Sequence, residues 1–438
     1  MKIAILGAGA TGLTTALRLA QKTSSEITVF EKDSFLGGHA STFQVNSTPI
    51  EKGYHHWFTS DNKIIELMSE LGLQNHIGWY ESSVGTVFNS KIYDFMTPID
   101  LLRYKPLSII NRISLGLSSL KISKIKNWHD LENFTAVDWL NENVNPQIYH
   151  AFWEPMLIGK FGEEHYKEVG MPWLWGKMNT RFKSREGFLS KEKLGYPIGS
   201  FDILFNSLSQ KCEKLGVKIH LNSQVNQIKS NHGSLDVSIS DAETLNFDSV
   251  IATVPSNVFH RITTGLEQSY IEKLQNTRYM SAVQIILELK HPLSKYYWLN
   301  IADRSFPFVG VIEHTNLVNE SIYGNSHIVY LSNYLTPKNS LYHLNKTELL
   351  EKYLPFLNQI NNKFSENWII KSHYQKIPGA QPIIESQYSN KMPAHETGIK
   401  NLYLGNTSQI YPEDRGTNYS VELGEKLAEL LIKKSINN

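Results

Sequence analysis

The chain has 438 residues, with 43 Lys+Arg against 42 Asp+Glu and 41% hydrophobic residues. That length exceeds one ordinary domain, the charge balance argues against a polyanionic partner such as nucleic acid, and the apolar content excludes disorder as the main theme. Cys212 is the one cysteine, so neither an intramolecular disulfide nor a cysteine-rich metal site can form, and the chain reads as one of a reducing, cytoplasmic compartment.

Residues 2–6 (KIAIL) read as a short apolar strand, GAGATG as a turn, residues 13–21 as a helix and EITVFEK from Glu26 as a second strand. A secretion signal would also place a lysine before an apolar run, but Gly7, Gly9 and Gly12 interrupt it, and a β-α-β unit accounts for the stretch better. In that setting Gly7 permits the tight turn, Gly9 lets a pyrophosphate approach the backbone, and Gly12 lets helix and strand pack closely. The helix start at Ala10 and Thr11 offers free N–H groups and a favourable dipole to phosphate. Glu31, 19 residues after Gly12 and followed by Lys32, is placed to accept from an adenosine ribose, and its charge disfavours a 2′-phosphate. A second close-approach turn, Gly37-Gly38-His39, follows at once, which favours FAD over NAD.

Next comes IEKGYHHWFTSD, where His55 and His56 lie among Tyr54, Trp57 and Phe58. Residues 61–189 are expected to form a mainly helical insertion. Within it, 103–126 carries six Lys or Arg and no acid, with Ile and Leu at helical spacing; it reads as a solvated amphipathic helix or as a peripheral membrane contact. Trp153, Trp173 and Trp175, with Phe152 and Phe161, suggest core, or else an apolar pocket wall. The basic stretch 177–193 is a solvated loop or a holder for a phosphorylated or nucleotide-sugar substrate. FDILFNSLSQKCEKLG reads as a helix with Cys212 in the core, followed by strands around VKIHLN, LDVSIS and SVIATVP. Residues 257–395 contain alternating runs, AVQIILEL and SHIVYLSNYL, that predict a sheet. The apolar runs fall far short of the ~20 residues of a membrane span. The chain closes with NLYLGN, the cluster IYPEDRGTNY and a helix at about 421–434. No zinc spacing, HExxH or nucleophile elbow is present, and no metal is expected.

From the strand-end Glu31 and the Gly37-Gly38 turn onward, the chain resembles the flavin-containing amine oxidase, protoporphyrinogen oxidase and phytoene desaturase superfamily, with UDP-galactopyranose mutase as a relative. GYPIGSFDILFNSLSQKCEKLGVKIHLNSQVNQI, SVIATVPSNVF and NLYLGNTSQIYPEDRGTNYSVELGEKLAELL are similar to three further segments of that superfamily. The resemblance implies an α/β fold: a Rossmann-type, glutathione-reductase-like FAD domain with an inserted mixed α+β substrate domain. It assigns 1–60, 190–256 and 396–438 to the first, and 61–189 with 257–395 to the second. It implies FAD, with the Val225 backbone at the adenine, Gly405 and Asn406 at the ribityl chain (the superfamily usually has Gly-Asp), and Gly416, Thr417, Asn418 and Tyr419 leading into a helix whose N–H groups face flavin N1 and C2=O. Cys212 lies far in sequence from the segments expected around the isoalloxazine, so the FAD is expected to be noncovalent.

The same resemblance sets His55 and His56 beside the isoalloxazine, either as proton donor or acceptor or as packed, orienting rings. Arg415 is expected to touch flavin or substrate, or else to form an ion pair with Glu413 or Asp414. Tyr54, Trp57 and Tyr411 are candidates for the substrate pocket. The implied activity is oxidation of a C–N or C–C bond in a small or lipidic molecule; the alternative is a mutase-like, non-redox sugar isomerisation. Oligomeric state is not legible.

Overall fold

The computed structural model describes residues 1–185, 187, 191–240 and 243–436. Five strands, β1 (Lys2–Leu6), β2 (Glu26–Phe30), β3 (Lys218–His220), β4 (Ser249–Ala252) and β5 (Leu402–Leu404), form a parallel sheet in the order β3-β2-β1-β4-β5. Parallel strands covered on both faces are near-continuously apolar. Ile3, Ile5, Ile27, Val29, Val250 and Ile251 are accordingly at most 1% exposed. One face packs against the helices Ala10–Lys22, Ser200–Lys214 and Thr417–Ile436. The other is closed by the antiparallel strands Val225–Asn231, Ser234–Ile239 and Glu243–Phe247 together with Phe259 and Leu274. The sheet therefore draws its strands from three separated stretches of chain.

A second, seven-stranded sheet is built round the long strand Tyr279–Leu289, which pairs antiparallel with His327–Leu335 and with Ile369–Pro382. Successive side chains on a strand point to opposite faces. Val283, Ile285, Leu287 and Leu289 cluster with Leu349, Tyr353 and Leu357 of the helix Lys346–Ile360, while Ile286 and Tyr330 join the core of the parallel-sheet region. Ala282, Gln284 and their partners Tyr334 and Ser332 share that second face, the one turned towards the 53–58 segment.

The 61–189 stretch is mostly helical, and it also carries three strands that its sequence pattern does not show. It holds strands Ile77–Glu81, Val84–Phe88 and Lys91–Asp94; Val84–Phe88 runs parallel to Trp298–Ile301 in the seven-stranded sheet, and Ile77–Glu81 pairs with Lys193–Pro197. These strands have four or five residues and pair with distant segments, so the helical pattern of their surroundings obscures them. The helices follow: Ile109–Ser123, with Ser108 capping Asn111 N, then Ala136–Asn143, Glu154–His165 and Met171–Lys183, packed round Trp139, Trp153, Phe161 and Trp173. The expected boundary at residues 189 and 190 lies outside the described residues.

Candidate flavin site

The glycine loop has the geometry its spacing demands. Gly7 adopts φ +104°, and a Cβ on Gly12 would lie 2.0 Å from the Gly7 carbonyl oxygen. A Cβ on Gly9 would meet the Gly37–Gly38 turn at ordinary van der Waals distance, with Gly38 Cα nearest at 3.9 Å, so the polypeptide does not itself exclude one. The first intrahelical bond runs from Leu13 N to Gly9 O, leaving the Ala10, Thr11 and Gly12 amides without an intrahelical acceptor, and no acid stands in this first turn. Gly37 and Gly38 both have positive φ, and Gly37 N donates to Ala8 O, which brings the second turn against the first. Glu31 is buried; its Oε2 accepts from Ala8 N at 2.8 Å and its Oε1 from Asp33 N at 3.0 Å. Its carboxylate is thereby oriented by the loop it serves. Lys32 points to solvent and pairs with Asp33. Val225 begins its strand beside a bulge that breaks the ladder between Val225 and Gln227.

The far end of the cleft is assembled by the 53–58 segment, the last helix and the seven-stranded sheet. Tyr54 OH lies 3.1 Å from Tyr334 OH, which accepts from Arg415 Nη2 at 3.2 Å and from Lys160 Nζ at 3.3 Å. Arg415 Nε donates to Gln381 Oε1 at 3.0 Å. The ion pair with Glu413 or Asp414 weighed for Arg415 does not form among the described residues. Asp414 instead accepts from Trp173 Nε1 at 3.0 Å and pairs with Lys177 at 3.4 Å and Lys160 at 3.9 Å. His55 Nδ1 lies 2.6 Å from the Gly53 carbonyl, an acceptor only, so Nδ1 carries the proton and Nε2 keeps its lone pair. His56 Nδ1 lies 2.9 Å from Tyr297 OH, with its ring edge-on to Phe58, Tyr297 and Trp298. Trp57 is buried and donates to Thr417 Oγ1 at 2.9 Å, which ties this segment to the last helix.

At that helix the first intrahelical bond is Ser420 N to Gly416 O, so the Thr417, Asn418 and Tyr419 amides lack intrahelical acceptors. Their side chains are engaged elsewhere: Asn418 Oδ1 accepts from Ile64 N, and Tyr419 OH meets Thr180 Oγ1. Gly424 allows this helix to cross the first one, since a Cβ there would fall 2.6 Å from Thr11 O. Two uncapped helix N-termini with acid-free first turns are thus held together by the packing of their helices.

Electrostatics divide the groups. Burial pulls His39 and His55 down to about 4 and His56 to about 3, helped by the neighbouring Arg415 for the first two and by Arg181 for His56, so all three are neutral at physiological pH. Burial also lowers the Lys177 ammonium to about 8. Burial would raise the Tyr334 phenol, but Lys160 and Arg415 outweigh it and bring it down to about 8; burial raises Tyr54. The same cations overcome burial at Asp414 and hold its carboxyl well below the usual range. Lys160, Lys177 and Arg415 all act on the Asp414 carboxylate, a local excess of positive charge that favours negative charge beside it.

A family model described as "Flavin containing amine oxidoreductase" matches residues 10–413. The chain belongs to this family. Among its relatives, coproporphyrinogen III oxidase of Staphylococcus aureus is 23% identical over 292 residues, covering 59% of this chain and 61% of that protein. Zeta-carotene desaturase of Zea mays is 24% identical over 182 residues, covering 36% of this chain and 31% of its own length. The chain thus matches about three fifths of the first relative and under a third of the second. A crystal structure of reduced UDP-galactopyranose mutase superposes with a TM-score of 0.77 at 16% identity, covering 99% of this chain and 95% of that one, a likeness of fold.

Membership in the flavin amine oxidoreductase family makes FAD the cofactor, and the residues present fit it. The bare backbone at Gly9, the orphan amides at both helix starts and the oriented Glu31 carboxylate match a pyrophosphate, a polar ring edge and a ribose. Two expected residues are occupied otherwise. Asn406 is buried and spends its side chain inside the protein, donating to Val254 O and Ser256 Oγ and accepting from Ser408, while Gly405 is required because a Cβ would lie 2.2 Å from Leu427. Tyr411 packs against Trp128 and Tyr388, away from the Tyr54–Arg415 cluster in every ring contact it makes.

Trp153, Phe161 and Trp173 are fully buried and Trp175 nearly so, as core; Trp173 alone reaches the site, through Asp414. Cys212 is buried against the Leu13 carbonyl, and burial pushes its thiol up to about 12. The sequence reading missed Tyr334, Gln381, Lys160, Tyr297 and Trp298. Lys177 and Arg181 lay in the noted basic stretch, whose residues 186 and 188–190 are outside the described set. Among the described residues no His, Cys, Asp and Glu cluster could hold a metal ion, and no helix is long and apolar enough to cross a membrane.

Proposed function

We propose that this protein is an FAD-dependent oxidoreductase that removes a hydride equivalent from a C–N or C–C bond of a small or lipidic organic substrate. Its cofactor domain comprises residues 1–60, 190–256 and 396–438, and the remaining segments form the substrate domain. The observation that carries this reading is the convergence of Tyr54, Tyr334, Gln381 and Arg415 beside the open N-terminus of the last helix. FAD, when bound, accepts the electron pair. The chain's own groups bind and orient: the Ala10–Gly12 amides hold phosphate, Glu31 accepts from ribose, and the Thr417–Tyr419 amides with Arg415 favour negative charge at the ring end. Neutral His55 offers Nε2 as a hydrogen-bond acceptor, and His56 with Trp298 and Tyr297 forms a wall. The one cysteine is buried against the first helix, which supports noncovalent attachment.

The test is anaerobic titration of the purified flavoprotein with amines, tetrapyrrole precursors and polyene precursors, following the visible flavin band. Bleaching by one class identifies the oxidised bond. A band that no compound bleaches, in a protein that isomerises a UDP-sugar once dithionite has reduced it, would replace this reading with the mutase-like one.

His56→Ala removes the contact to Tyr297 and one ring of the wall. FAD content should stay at the wild-type level while flavin reduction slows by about a hundredfold if the imidazole moves a proton; unchanged kinetics would make it a packing residue. The pH dependence has a defined sign. Below about pH 8 Lys177 is charged and Tyr334 is protonated; above it the site loses one positive charge and gains one negative. Flavin reduction should therefore fall above about pH 8, and Tyr334→Phe should leave a shallower limb, read by stopped-flow across pH.

A further inference from the structure

The helix Ile109–Ser123 presents two unlike faces. Asn111, Leu115, Ser118 and Ile122 are buried on the side that meets the helix Met171–Lys183. Opposite them, Ile109, Ile110, Ile113 and Leu117 are 67%, 79%, 51% and 62% exposed. Ile99 and Leu102, on or at the end of the short helix Pro98–Leu102 packed beside it, are each 50% exposed. Single exposed aliphatics are ordinary, whereas six within residues 99–117, on two helices in contact, form a patch that costs solubility unless something covers it.

Charge says what covers it. Arg103, Lys105, Lys121, Lys124 and Lys126 are exposed around the patch, and Arg112 donates to the carbonyls of Leu107 and Leu102. None of these six cations has an ion-pair partner among the described residues. The rim is net positive even with Asp100 between Ile99 and Leu102 and with Arg103 acting on Asp94. It matches an anionic surface, and it disfavours a second copy of the chain, because a two-fold contact through this face would set like charges against each other. An apolar stripe rimmed by Lys and Arg, on a helix too polar on its inner side to span, is the arrangement of a helix lying in a lipid interface.

We propose that this face docks the protein on an anionic lipid surface, with Ile109, Ile110, Ile113 and Leu117 entering the interface and the basic rim at the headgroups. The inner side of the same helix packs on Met171–Lys183, which carries Trp173 and Lys177, so one layer of helix separates the lipid from the site.

The experiment is sedimentation of the FAD-loaded full chain with vesicles of phosphatidylcholine alone and of phosphatidylcholine with phosphatidylglycerol, at low and high salt. The expected result is binding to the phosphatidylglycerol vesicles at least about tenfold tighter than to the neutral ones, weakened by salt. Ile110→Ser combined with Ile113→Ser and Leu117→Ser should abolish it while the visible flavin band persists. Should that variant fail to fold, Lys105→Gln with Lys124→Gln should weaken binding to anionic vesicles and leave the flavin spectrum unchanged. Absence of binding, equal binding to both vesicles, or undiminished binding by either variant would overturn the proposal. So would a dimer in solution that the serine variant dissociates, which would make this face a contact between copies. None of these readouts depends on which bond the flavin site oxidises.

Discussion

Gly9→Val yields a folded, colourless protein. A Cβ at this position meets no atom nearer than 3.9 Å, so the polypeptide tolerates the branch point without a backbone shift. It fills instead the space that the diphosphate needs in front of the Ala10–Gly12 amides. Losing two charge-assisted amide–phosphate bonds, each contributing about 1.5–3 kcal/mol, weakens FAD binding by at least about a hundredfold. Gly12→Val has a different outcome: its Cβ would overlap the Gly7 carbonyl oxygen at 2.0 Å, and the first strand and helix could no longer pack. Circular dichroism and FAD titration separate the two, with native ellipticity and no flavin for Gly9→Val, and loss of both for Gly12→Val. A fully flavinated Gly9→Val protein would put the diphosphate elsewhere.

Arg415→Met retains flavin and slows its reduction by about a hundred- to a thousandfold, corresponding to about 2.7–4 kcal/mol of lost electrostatic stabilisation. The guanidinium donates at once to Gln381 and Tyr334, and methionine supplies neither bond. Gln381 is buried, so its Oε1 is left without a donor, and the Tyr334 phenol loses one of the two cations that depress it. The alkaline limb of the rate profile therefore moves to higher pH in this variant. Arg415→Lys restores only part of the rate, because an ammonium cannot reproduce the planar fork that serves two acceptors. Stopped-flow reduction across pH checks both statements; a wild-type rate in Arg415→Met would confine this arginine to holding Gln381.

What the sequence determined by itself is the cofactor end. Gly7, Gly9 and Gly12 lie within one turn, and Glu31 follows by a fixed β-α-β spacing. Local sterics alone impose the positive φ at Gly7 and the contact that forbids a Cβ on Gly12. The aromatic-histidine segment at 54–58 and the basic, apolar stretch at 103–126 were visible for the same reason, as composition concentrated in a few residues. Asn406 shows the limit: its type is compatible with a cofactor contact, yet neighbours brought from residues 254–256 claim its amide.

Only the tertiary structure decided the reacting end. Tyr54 and Tyr334 are 280 positions apart, and Lys160 and Arg415 reach the same phenol from a helix and from the loop before the last helix. No local pattern distinguishes Tyr334 from its neighbours in SHIVYLSNYL; the register of Ala282 against Tyr334 puts its ring on the cleft side of the sheet. The strands between residues 77 and 94 were hidden likewise, because they exist through pairing with Lys193–Pro197 and Trp298–Ile301. Helical periodicity gave the Ile109–Ser123 helix an apolar side, but packing on Met171–Lys183 chose which side is buried and left the isoleucines facing out. Backbone sterics and short spacings are written locally, whereas burial and register are settled by contacts between segments distant in the chain.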